Sequence, residues 1–123
     1  MDRMFLAIGS ILGFLGVAFG AFGAHALRAR LSPEMLAVFE TGVRYQMYHA
    51  FALLIVAAAI GHFGNARLLT AAGWLFFAGV LLFSGSLYAL TLSGTGSLGA
   101  ITPIGGLLFL AGWACLAVFA IAR

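Results

Sequence analysis

Lysine is absent from this 123-residue chain and acid is scarce: Asp2, Glu34 and Glu40 stand against six arginines. So few carboxylates assemble no serine–histidine–acid arrangement for hydrolysis. No apolar run carries an acid at its centre, where proton-coupled transporters keep their relays. A single cysteine, Cys115, excludes an internal disulfide and a cysteine-built metal site. The net charge of +3 is spread thinly along the chain and forms no basic patch of the kind that nucleic acid requires. What the chain has in quantity is apolar surface. It is 64% hydrophobic and 7% charged, where soluble domains carry about 25% charge, and its mean hydropathy is +1.17. No soluble core of this length hides so much apolar area, so the solvent for this surface is lipid.

A membrane-crossing helix needs about 20 mostly apolar residues, and four segments qualify, at about 4–27, 43–61, 68–90 and 98–121. The expected fold is an all-α bundle of four transmembrane helices forming a single domain over 1–123. Between the spans lie an arginine-bearing connection (28–42), a tight turn (62–67) and an uncharged Gly/Ser/Thr loop (91–97). None of them is long enough for a soluble catalytic domain. The "AHA" at 24–26 resembles a leader-cleavage site, yet the preceding apolar run of about 20 residues exceeds the usual 7–15 of a leader. The first segment is therefore expected to be retained as a span.

Within the first connection, "LSPEM" is a helix start. Ser32 is a good N-cap, Pro33 suits the first helical position, and Glu34 favours the positive end of the helix dipole. Met35, Leu36, Phe39 and Val43 fall on one side; Glu34, Ala37, Thr41 and Arg44 fall on the other. This predicts a short amphipathic segment at 33–41 before the second span, with Gly42 as a flex point between them. In "TPIGG" (102–106), Pro103 is expected in the first turn of the fourth regular helix, with Thr102 as its N-cap.

Gly9, Gly13, Gly16, Gly20 and Gly23 recur at spacings of four, three, four and three, which places them on one face of the first helix. Helices in lipid associate by close backbone approach through small residues, so this face is expected to pack against another helix of the same chain.

The stretch "TGVRYQMYHA" (41–50) places polar side chains at the head of an apolar run. By depth, Arg44 sits at the headgroup boundary and Tyr45 and Tyr48 match the interfacial aromatic belt. Glu40 and Arg44 are an i,i+4 pair. An interfacial anchor accounts for all of these, but less comfortably for His49, about 8 Å inside the boundary by helical rise. The alternative is a polar site. His25 closes the first segment on the same side of the membrane, so His25, Glu40, Arg44, Tyr45, Gln46, Tyr48 and His49 are the candidate site residues. One network of Glu40, Arg44 and His49 with His25 beside it is expected. Two histidines fall short of the usual zinc ligand sets, and His62 lies about 20 Å along the helix from His49, so neither a metal nor a cofactor is expected.

The "GTGSLG" at 94–99 is a literal G-x-G-x-x-G, but it follows a membrane helix and no acid follows it. Nucleotide binding would require a preceding strand and a downstream acid, so it reads as a loop.

Four stretches, "GAFGAHAL" (20–27), "TGVRYQMYHAFALL" (41–54), "SGSLYAL" (84–90) and "GAITPIGGLLFLAGW" (99–113), together resemble domain-of-unknown-function family 423, the YgdD/YwdK-like and transmembrane-protein-256-like small membrane proteins. The resemblance runs in order from the first segment to the last span. It implies a small multi-pass protein, in bacteria of the inner membrane, and supplies no activity. It also implies a family signature that includes His25, Arg44, Tyr45, Gln46, Tyr48 and His49.

An even number of spans puts both termini on one side. Arg3, Arg67 and Arg123 share it, against Arg28 and Arg30 on the other with Arg44 at its boundary; three against two or three is a narrow margin, and on it the termini are expected in the cytoplasm. The leading functional expectation is a non-enzymatic membrane protein that acts through helix packing. Its expected partners are lipids, another membrane protein or a second copy of itself, with no nucleic acid and no nucleotide. The runner-up is binding or transport of a lipid-like small molecule at a polar pocket between helices one and two. A haem- or metal-dependent membrane enzyme is the third.

Overall fold

The computed structural model describes residues 1–122; Arg123, counted above on the terminal side, lies outside them. Four helices are long and apolar enough to cross a membrane. Helix α1 runs Asp2–Leu27, α2 Pro33–Phe63, α3 Arg67–Ser93 and α4 Thr102–Ala122. The described residues contain no strand, and the protein is an all-α membrane bundle.

The ends of these helices follow from local chemistry. Ser32 caps α2, its Oγ accepting from the Met35 N–H at 3.2 Å, and Pro33 takes the first turn. Gly64 ends α2 with φ +89° and Gly94 ends α3 with φ +74°, left-handed conformations that a Cβ disfavours. The second of these glycines opens "GTGSLG", which lies between two helices and includes a 3₁₀ turn over Gly96–Ala100.

Three details differ from the sequence expectation. The amphipathic segment 33–41 forms the first turns of a single helix that continues unbroken through Gly42. Gly42 does not flex. It is buried, and a Cβ there would meet the ring of Tyr88 at 2.8 Å, so its role is to admit that ring. In the fourth segment, Pro103 occupies the first turn of α4 as expected, but Thr102 is already helical. The Thr102 hydroxyl hydrogen-bonds the Ser86 hydroxyl at 2.6 Å, tying α4 to α3. Finally, α1 opens into a π-helical turn over Phe19–Gly23, where the Ala24 N–H bonds the Phe19 carbonyl. The glycine-rich "FGAFG" supplies a segment with little side-chain resistance to that widening.

Each helix packs along its neighbour in sequence. Helices α2 and α3 form the buried middle, with α1 laid against one side and α4 against the other. Phe5 of α1 enters the space left by Gly73 of α3. From the other side, Phe109 of α4 fills the space beside Gly79, and Phe76 of α3 fills that beside Gly112. These pairings build one apolar core that includes Phe5, Leu53, Val56, Leu69, Phe76 and Phe109.

Candidate functional site

The stretch 44–49 is divided by the helix it belongs to. Arg44 and Tyr48 face outward, Tyr48 at 51% exposure, while Gln46 and His49 are buried at 2% and 4%. Tyr45 sits between, its ring on Phe83 at 4.7 Å.

Gln46 joins three helices. Its Nε2 donates to the Leu12 carbonyl of α1 at 2.8 Å, and its Oε1 accepts from the Tyr88 hydroxyl of α3 at 2.7 Å. The Tyr88 ring is held by Phe19 and Phe39, at 5.3 and 5.1 Å between centroids. A turn away, the Ser84 hydroxyl donates to the Gly42 carbonyl at 2.6 Å. In a bilayer an unpaired polar group costs several kcal/mol, and here amide and phenol satisfy each other.

His49 belongs to the other side of the bundle. Its Nδ1 lies 2.7 Å from the Tyr45 carbonyl, and the Trp113 indole N–H of α4 donates to its Nε2 at 3.0 Å. A carbonyl only accepts and an indole N–H only donates. The ring is therefore a neutral imidazole protonated at Nδ1, with its Nε2 lone pair occupied. Phe109 stacks on it at 3.5 Å with 6° between planes, and Phe76 packs at 5.5 Å. In this geometry no lone pair of His49 is left for a metal ion.

The residues expected to form one network are not gathered together. His25, Glu40 and Arg44 are exposed. Among the described residues the one ion pair within 4.0 Å joins the Met1 amino group to Asp2, so Glu40 and Arg44 are not paired. Both side chains are exposed, and an exposed pair gains little from closing. His49, lying deeper, takes its partners from the helices that bury it.

Of the glycines on α1, four face α2. A Cβ at Gly9 would come within 3.0 Å of the Ala50 carbonyl oxygen, at Gly20 within 3.1 Å of Val43, and at Gly23 within 3.3 Å of Phe39; at Gly16 it would collide with Met47. Gly13 differs, with nothing within 4 Å of its Cβ position. It opens onto a groove of about 590 Å³ between α1 and α2, lined by Gly9, Val17, Met47, Phe51, Leu54 and their neighbours. Ser10 is the only polar side chain on that lining. A second groove, about 450 Å³, lies between α2 and α4 beside His49 and Trp113.

Residues that sequence reasoning left unassigned complete the interior. Tyr88 is the one tyrosine outside 41–50, and Gln46 is the only glutamine in the chain. A phenol within a span needs an acceptor, and Gln46 is one of the few side chains in the spans able to supply it. Trp113 carried no comparable signal.

Residues 19–106 match the model of a family described as "Protein of unknown function (DUF423)". The chain is 44% identical over 119 residues to the UPF0382 membrane protein YwdK of Bacillus subtilis, covering 97% of each chain. It is 47% identical over 116 residues to a UPF0382 membrane protein of Staphylococcus haemolyticus, covering 94% of this chain and 93% of the relative. No solved structure matches. With four membrane-length helices, a matching family model and relatives named as membrane proteins that align over nearly their whole length, the chain belongs to the DUF423 family of small multi-pass membrane proteins.

Proposed function

We propose that this protein is a non-catalytic component of the bacterial inner membrane that acts through the packing of its helices and through contacts with lipids or other membrane proteins, a second copy of itself included. The observation that carries this reading is the state of its interior polar groups. Among the described residues, no buried side-chain nitrogen or oxygen lacks a hydrogen-bond partner. Gln46, Tyr88 and Trp113 use their hydrogen bonds to join helices, and His49 is engaged by its own helix at Nδ1 and by α4 at Nε2, whereas a catalytic group needs a free donor, acceptor or lone pair aimed at substrate.

The termini face the cytoplasm in this reading, supported by Arg3 and Arg67 and by Arg123 at the chain end. A C-terminal fluorescent fusion that stays dark would overturn that orientation. The test of the non-catalytic reading is mass spectrometry and absorbance of protein purified from bacterial membranes. Lipids, with or without a protein partner, are expected to accompany it, and stoichiometric haem or another redox group would overturn the reading.

The groove between α1 and α2 favours a second reading, the holding of a lipid-like molecule. Its walls are apolar, so recognition there rests on an alkyl chain, with any polar contact left to the residues at its mouth.

A further inference from the structure

We propose that the α1–α2 groove seats one acyl chain of an anionic phospholipid whose phosphate pairs with Arg44. The proposal rests on the second reading above and names the ligand. Arg44, Met47, Phe51 and Leu54 recur at spacings of three, four and three, and so lie along one face of α2. Met47, Phe51 and Leu54 line the groove, and Arg44 stands in the same row one turn nearer the membrane surface, exposed and with no acid in ion-pair reach among the described residues.

Length and charge agree with one occupant. From Arg44 to Leu54 is about 15 Å of helical rise, which is half of a roughly 30 Å hydrocarbon core. A chain lying in the groove therefore covers one leaflet's depth when its phosphate is level with Arg44. Gly13 has no neighbour within 4 Å of its Cβ position, so the bundle itself leaves the middle of this groove unfilled. Beyond Phe22, the last α1 residue on the lining, α1 carries no acid, and His25 and Arg28 are exposed. Glu40 lies in the same row one turn from Arg44, about 6 Å further toward water along the helix, and is not in ion-pair reach of it. A zwitterionic headgroup brings its own ammonium to compete for the phosphate. An anionic glycerol headgroup does not, and the site should prefer it.

The test uses the full-length protein in nanodiscs of equal phosphatidylglycerol and phosphatidylethanolamine, released for native mass spectrometry. The wild type is expected to retain one phosphatidylglycerol in preference to phosphatidylethanolamine. Arg44→Gln should lower that preference about fivefold, the worth of one basic side chain near an anionic headgroup, while lipid is still retained. Gly13→Leu, whose Cβ has open space around it and whose side chain enters the groove, should reduce retention of both lipids with the thermal midpoint unchanged. An unchanged preference in Arg44→Gln, unchanged retention in Gly13→Leu, or a wild type that retains the two lipids equally would each overturn the seat. None of those results touches the non-catalytic reading, which falls only to a bound redox group or to turnover.

Discussion

Gln46 and His49 are three residues apart on α2, equally buried, and engaged in opposite ways. Gln46 faces α1 and α3 and uses both ends of its amide, one on the Leu12 backbone and one on a phenol. His49 faces α4 and lies flat among aromatic rings, with Trp113 and its own helix satisfying its nitrogens. The interfaces around them differ in the same sense. Along α1–α2 the glycines Gly9 and Gly20 bring the helices together against a carbonyl and a valine. Along α3–α4 the glycines Gly79 and Gly112 are sockets for phenylalanine rings. Lipid supplies no hydrophobic drive between helices, so association depends on contact area and hydrogen bonds. The first interface gains contact by closeness and a bridging amide. The second gains it by interlocked rings together with a close backbone approach at Gly105, and the Ser86–Thr102 hydrogen bond ties the two helices.

Several substitutions would break or sharpen that contrast. The largest effect is expected at Gly105, where a Cβ would meet the Cβ of Phe83 at 2.7 Å and its Cα at 2.8 Å. Backbone cannot move aside as a flexible side chain can, so Gly105→Leu should yield no folded protein in detergent. Gly16→Leu, which meets the adaptable thioether of Met47, should leave a recoverable fraction. Equal recovery of the two variants would mean that the backbone approach at Gly105 constrains α3–α4 no more than Met47 constrains α1–α2.

Phe109→Ala removes a ring that fills the space beside Gly79 and stacks on His49. Large-to-small changes of a buried aromatic cost about 3–5 kcal/mol, and unfolding in mixed micelles should show a loss of that order. Trp113→Phe keeps the ring packing and removes only the donor to His49 Nε2. Hydrogen bonds between membrane helices average about 0.6 kcal/mol, so a small loss is expected. A loss as large as that of Phe109→Ala would mean that the hydrogen bond, not the ring stack, holds α4. Smallest of all, Arg44→Gln should shift stability by no more than about 0.5 kcal/mol, as for other exposed positions. A larger loss would return Arg44 to the interior network.

Much of this fold is legible in the sequence because hydropathy and helix-terminal chemistry are local. The spans follow from contiguous runs of about 20 residues, and the start of α2 from the adjacent Ser32, Pro33 and Glu34. The unbroken passage through Gly42 was not legible, because that glycine answers to Tyr88, 46 positions away. The polar cluster divides along the same line. Sequence spacing places Arg44 at the boundary and His49 below it, yet whether a side chain turns toward lipid or protein depends on where the other helices stand. Charge pairing suggested Glu40 and His25 as companions of His49. The actual companions are uncharged, Trp113 and Phe109, since burial in hydrocarbon favours a neutral ring among aromatics over a second charge.

The account rests most heavily on the claim that the buried polar groups of 41–50 are structural joints, and a double-mutant cycle between Gln46 and Tyr88 tests it most directly. Gln46→Leu leaves the phenol without its acceptor, and Tyr88→Phe leaves the amide oxygen without its donor. Each should destabilise by about 1–3 kcal/mol, the penalty of an unsatisfied buried group. The double variant removes both and should lose clearly less than the sum, with a coupling of at least about 0.5 kcal/mol in reversible unfolding from mixed micelles. Strict additivity, with no coupling beyond error, would contradict the joint and leave Gln46 free for another role.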